Sequence, residues 1–154
     1  MNEYRIEKLR CPVTVVMAGG ERISGDLFVQ SVVPFRLGPE EPSDVFNGPD
    51  PFVPIAMSEG EILIVAKTRV AEVEVGEPSQ LEEERLTGLR PTAIELTIAG
   101  FEPRTGFLHI AVRNERPRLL DYLNSLGQQF VALYTASGVR LINRALIERV
   151  RPLD

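Results

Sequence analysis

The 154-residue sequence predicts a mainly β protein made of two tandem, small five-stranded barrels. Three observations carry that expectation. Short apolar stretches alternate with polar positions at a period of two, the spacing of a strand with two different faces. Twelve Gly and twelve Pro, with no Trp and 6% aromatic residues, mark many turns between short elements. The second half of the sequence also repeats the pattern of the first.

The repeat has three collinear blocks. Val13–Val29 (VTVVMAGGERISGDLFV) reads against Ile94–Ile110 (IELTIAGFEPRTGFLHI), with apolar alternation, an Ala-Gly step, a second Gly, and alternation again. Ser43–Ile55 matches Leu120–Leu133, each carrying Asp, two residues, Asn, and then a Phe that opens an apolar stretch. Ile62–Val75 matches Val139–Pro152, with a cation at Lys67 or Arg144 and apolar residues three and six later. The offset falls from 81 to 77 residues, so the first copy carries about four extra residues mid-unit. An internal duplication accounts for all three blocks. The units divide as 1–76, a linker at 77–90, and 91–154.

The elements follow in order. Asn2–Arg10 is read as an extra strand or short cap closed by Pro12. Val13–Ala18 is a first strand whose two-sided apolarity suggests cover on both faces. Gly19-Gly20 turns the chain into a second strand, Ile23–Val29, with a bend at Gly25. Ser31–Pro51 is a long Pro-rich loop with a helical turn at Ser43–Phe46. Phe52–Met57 is a third strand, placed at an edge because Pro54 lacks a ladder donor. Glu61–Ala66 and Val70–Val75 complete the unit. The second unit repeats this with Ala93–Ala99, Gly106–Val112, Phe130–Thr135, Val139–Ile142 and Leu146–Arg151. Its mid-unit segment Arg116–Leu126 is more helical, with Leu119, Leu120, Leu123 and Leu126 on one face, Pro117 in the first turn and Gly127 as a stop. In the linker, Ser79 and Glu82 have capping-box spacing and Gly88 ends a helix of Gln80–Thr87, with Glu82-Glu83-Glu84 as a solvated face.

Bulk properties narrow the chemistry. The net charge is −5, and residues 1–76 hold seven Lys/Arg against twelve Asp/Glu while residues 77–154 hold ten of each. That acidity disfavours RNA or any phosphate backbone as a partner. The N-terminal residues lack the apolar run of a signal peptide, and no apolar stretch approaches the ~20 residues that span a bilayer, so a cytoplasmic location without membrane contact is expected. One cysteine, Cys11, excludes an internal disulfide, and one histidine, His109, excludes His-cluster metal sites. Cys11 precedes proline with no His base near in sequence, and Asp44, Asp50, Glu59 and Glu61 show no pairing at a hydrolase separation. No phosphate-cradling glycine motif is present. The expectation is a protein that is no enzyme and needs no cofactor.

The candidate binding or interface residues come from the repeat. Asp44/Asn47 and Asp121/Asn124 form a duplicated Asp-x-x-Asn element, which serves either as a partner or ligand contact or as a local backbone cap. Lys67, with Arg69 beside it, and Arg144 leave equivalent strands and are placed to hold an anion, an acidic partner group, or a solvated turn.

Two places in each unit resemble the Sm-like fold, an SH3-like small barrel, in its bacterial Hfq-type version. One is the apolar alternation followed by Gly20-x-x-x-x-Gly25. The other is the ending, where an apolar pair precedes Lys67, Val70 and Val73, and again Leu141-Ile142-Asn143-Arg144 precedes Ile147, Val150 and Pro152. The Sm-type Asp-x-x-Met-Asn is displaced, with Asp44 and Asp121 lying 19 and 15 residues after Gly25 and Gly106. Thr68 and Ala145 replace the histidine of the Hfq-type ending. The chain also resembles an uncharacterised bacterial domain family with an Asp-containing insertion before its closing strands. The resemblance implies a binding or scaffold protein working through protein–protein contacts or self-association into an oligomer. Its first alternative is RNA binding through Lys67, Arg69 and Arg144. Its second is a small-ligand sensor using the Asp-x-x-Asn elements or the groove between the units.

Overall fold

The computed structural model describes residues 8–33, 38–111, 119–125 and 127–153. In chain order these form β1 (Lys8–Met17), β2 (Arg22–Gln30), the short helix α1 (Pro42–Phe46), β3 (Phe52–Ala56), β4 (Ile62–Ala66) and β5 (Val70–Gly76). Helix α2 (Gln80–Leu86) leads into β6 (Arg90–Ile98), β7 (Arg104–Ile110), helix α3 (Leu119–Ser125), β8 (Phe130–Thr135), β9 (Gly138–Asn143) and β10 (Ile147–Pro152). Among the described residues no helix is long and apolar enough to cross a membrane.

The strands make one antiparallel sheet in the order β10-β6-β7-β8-β9-β5-β1-β2-β3-β4. This corrects the expectation of two separately closed barrels. Among the described residues β4 pairs only with β3 and β10 only with β6, so the ten-stranded sheet is open. The physical reason lies at its centre, where the outer edges of β5 and β9 satisfy each other's backbone groups, with Glu72 opposite Ile142 and Val73 opposite Leu141.

Each half follows the same internal order, 5-1-2-3-4 and 10-6-7-8-9. Details repeat too. A bulge falls at the Val16/Met17 step of β1 against β5 and at the Ile147/Arg149 step of β10 against β6. Ala18 N–H donates to the Arg69 carbonyl at 2.7 Å, and Ala99 N–H to Leu146 at 3.0 Å. Lys67 N–H donates to Pro51 at 2.9 Å, and Arg144 N–H to Gln129 at 2.8 Å.

Gly25 and Gly106 set the bends. A Cβ at Gly25 would lie 2.6 Å from the Ala56 carbonyl oxygen, and one at Gly106 2.7 Å from that of Tyr134. Only a residue without Cβ lets the third strand of each half cross its second so closely.

Two proline assignments change. Pro12 lies inside β1 opposite Asp26, on the stretch where β1 has β2 as its one neighbour, so it closes nothing. β3 is an inner strand between β2 and β4, and the edge is β4. Pro54 is tolerated because Met57 N–H donates to Glu61 and Lys67 N–H to Pro51; by alternation along the ladder, the Pro54 nitrogen faces away from β4.

The core is interleaved between the halves. One cluster gathers Val15, Leu27, Phe46, Ile55 and Val73 with Phe130, Val139 and Leu141 from the second half. The other gathers Ile94, Leu96, Leu108, Leu133 and Ile142 with Ala71 from the first. The central strands β8 and β9 are thus covered on both faces, which is why their sequences run largely apolar with little alternation.

Candidate functional site

The two Asp-x-x-Asn elements and the two cations occupy matching places around the mid-unit helices. In the first half Glu41 and Asp44 cap α1 reciprocally, with Glu41 N–H donating to the Asp44 carboxylate at 2.8 Å. Asn47 reaches across to the second half. Its Oδ1 accepts from Phe130 N–H at 2.7 Å, and its Nδ2 donates to the Phe130 carbonyl at 3.3 Å. The Phe46 and Phe130 rings meet edge to face, 5.2 Å between centroids. This one turn fastens the first half to the start of β8.

Lys67 is only 2% exposed and donates from Nζ to the Gly48 carbonyl at 3.2 Å, just past α1. Burial lowers its pKa, and the nearby Asp50 charge partly offsets that. Arg144 plays the matching part, donating to the Leu123 carbonyl of α3 at 3.4 Å. Arg69 is exposed on the 3-10 turn after Lys67. In α3 the Asp121 carbonyl accepts from the Ser125 hydroxyl, and the side chains of Asp121 and Asn124 are exposed. The structure therefore brings Asp44, Asn47 and Lys67 together about one turn and places Asp121, Asn124 and Arg144 about its counterpart.

Sequence reasoning missed the charge cluster that crosses the β5–β9 seam. Glu72 is fully buried; it accepts from Arg104 Nε at 2.8 Å and from Arg140 at 3.1 Å. Arg140 also reaches Glu74 at 3.4 Å, and Arg22 bonds Glu74 at 3.0 Å. The available signal was VAEVEV, where acidic residues interrupt a strand that is otherwise apolar on both faces.

The Glu82-Glu83-Glu84 run predicts a solvated face, but the structure turns Glu82 inward. Ser79 does cap α2, accepting from Glu82 N–H at 3.1 Å. The Glu82 carboxylate, however, stands beside the Tyr134 hydroxyl; burial, and then the charge of Glu41, raises its pKa. Burial also raises the Tyr134 phenol, with Glu82 adding to the shift. Beside them lies a cavity of about 360 Å³ with apolar walls from Cys11, Val29, Leu81 and Leu141. Glu41 and Glu82 face it as well, Glu41 being held by Arg85 at 2.6 Å. The Cys11 thiol is pushed up by burial and by the Asp26 and Glu41 charges, the opposite of an activated thiolate.

The sheet edges are the other exposed chemistry. On β4, Ile64 is 68% and Ile62 49% exposed, whereas Leu141 and Val139, at the matching positions of β9, are 2% and 4% exposed under β5. The outer edge of β4 has neither lysine nor proline, two of the usual devices that discourage strand addition. Among the described residues no group of three or more His, Cys, Asp or Glu is placed to hold a metal ion. Compared with protein-family models, curated proteins and solved structures, the chain matches none of them.

Proposed function

We propose that this is a non-catalytic binding or scaffold protein, a tandem Sm-like duplication that takes its partners at the free edges of the sheet. The bare apolar edge of β4 carries this reading, because an unpaired strand of exposed isoleucines is a ready template for another strand. The shared strand order, bulges and glycine bends of the two halves support the duplication. RNA binding is the weaker reading, because the Lys67 ammonium is buried against Gly48 and Arg144 is engaged with Leu123. Light scattering over a range of concentrations, together with affinity capture from the source lysate, tests the proposal. Assembly or retention of a protein that Ile64→Lys abolishes is expected. A monomer that captures nothing overturns it.

The cavity supports a second reading, a small-ligand sensor for an apolar molecule bearing a cationic group that would meet Glu41 and Glu82. Thermal-shift screening with aliphatic and aromatic amines tests it. The expected result is a rise in melting temperature that Leu81→Arg removes. No shift with any amine at millimolar concentration ends that reading.

A further inference from the structure

The seam between the two halves specifies what its own outer edges fit. Inside the chain, β5 of the first half pairs with β9 of the second, and Asn47 beside it clamps the Phe130 backbone. By hairpin register β4 corresponds to β9, with Ile64 at the place of Leu141 and Phe52 at that of Phe130. By their registers on β1 and β6, β10 corresponds to β5, with Val150 at the place of Val73. Asn124 stands where Asn47 does, 77 residues later. The free edges of the sheet therefore correspond in position to the two members of a pairing the molecule already makes once, with Arg149 and Leu63 standing where Glu72 and Arg140 do.

We propose that chains of this protein join head to tail, β10 and Asn124 of one copy engaging β4 and Phe52 of the next. The inference rests on the edge-binding reading and names its partner as a second copy. The internal register carries over as Val150 opposite Ile64, Arg149 opposite Val65 and Arg151 opposite Leu63.

Four features agree with that geometry. Ile64 and Phe52 are exposed, while their counterparts Leu141 and Phe130 are buried in the seam. The backbone donors face the right way: Lys67 N–H points to β3 and Leu153 N–H to β6, so by alternation the N–H groups of Ile64 and Val150 point outward. The Asn124 side chain is exposed on α3, as the clamp requires. Charge is compatible with it. The exposed Arg149 and Arg151 line β10, and the exposed Glu59 and Glu61 lead into β4; with Arg151 opposite Leu63, Arg151 stands diagonal to Glu61 two residues along. Such a contact leaves one β4 and one β10 free at the ends, so it closes into a ring or runs on as a chain.

Light scattering on the full-length protein tests this. Wild type is expected at whole-number multiples of the chain mass. Ile64→Lys is expected at the mass of one chain with an unchanged melting curve. Asn124→Ala is expected to weaken association about tenfold without altering the melting curve. Arg149→Glu/Arg151→Glu alone is also expected as single chains. Mixed with Ile64→Lys it gives a one-to-one dimer that grows no further, since one free β10 meets one free β4. If the double arginine variant associates as fully as wild type, β4 pairs with itself and the head-to-tail inference falls while edge binding stands. Failure of the mixture to dimerise also overturns it. A monomeric wild type that still captures another protein at β4 overturns this inference alone. A monomeric wild type that captures nothing removes both.

Discussion

At the scale of single residues, the polar groups that look most reactive in the sequence serve the backbone. Asn47 imitates a neighbouring strand, supplying one donor and one acceptor to Phe130 where no strand can reach. Asn47→Ala leaves two backbone groups without their partner beside a buried ring. It is expected to cost about 2 kcal/mol in urea denaturation, with Asn47→Asp losing roughly half of that because the acceptor survives. A loss below about 0.5 kcal/mol would show that water replaces the clamp. His109 offers a pH test. Its ring stands edge-on to Tyr134 with 4.6 Å between centroids, and its Nδ1 is buried with no hydrogen-bond partner among the described residues. Burial lowers its pKa below the ordinary 6.5. A cation whose folded pKa is depressed contributes stability that is present above the unfolded pKa and lost as pH falls through the folded one. Stability should therefore decline below pH 6.5, less so in His109→Gln. Because there is one histidine, its proton NMR titration is unambiguous, and a midpoint at or above 6.5 would contradict the burial argument.

At the scale of elements, glycine decides where the sheet turns. The Cβ of Gly25→Ala would press on the Ala56 carbonyl and the Ile55 methyl, and that of Gly106→Ala on the Tyr134 carbonyl and Leu133. Both substitutions should destabilise by about 1–3 kcal/mol, because backbone cannot yield as a flexible side chain does. At Gly19, where a Cβ meets nothing within 4 Å, alanine should be close to neutral by the same chemical denaturation. Equal effects at all three sites would mean that glycine acts there through chain entropy alone. The strands themselves were legible in the sequence, since period-two alternation and Gly punctuation depend on local chemistry. β8 begins and ends where VALY and its flanks place it, and α2 starts at the Ser79 cap. Proline misled at Pro12 and Pro54, because what matters is whether the missing N–H faces a neighbour, and that depends on which strands lie alongside. The reading of Asn2–Arg10 falls largely outside the described residues, as do Arg116, Pro117 and Leu126.

At the scale of the whole molecule, the repeat in the sequence pointed to two bodies, and the structure joins them along β5 and β9. Nothing local announces this. VAEVEV and GVRLIN each read as strands, but their pairing is a choice between distant edges, and the buried charges become intelligible only once β5 and β9 meet. For the same reason the bare edge of β4 could not be seen in advance, because Ile64 and Leu141 look alike until one is covered. The joined seam has a consequence for cooperativity. Each apolar cluster contains side chains from both halves, with Phe130, Val139 and Leu141 in one and Ala71 in the other. Opening either half thus strips the other of core contacts and exposes Glu72, whose arginines come from β7 and β9. Calorimetry is expected to show one transition whose van't Hoff and calorimetric enthalpies agree for the unit that melts. Glu72→Ala leaves Arg104 and Arg140 without their shared carboxylate in a low-dielectric seam. It should cost about 3 kcal/mol, the lower end for a broken buried pair because both arginines keep some solvent. That loss should move the single transition to lower temperature as a whole. If the variant instead melts in two steps, with β6–β10 persisting after β1–β5 have opened, the halves are independent domains and the shared core contributes little to either.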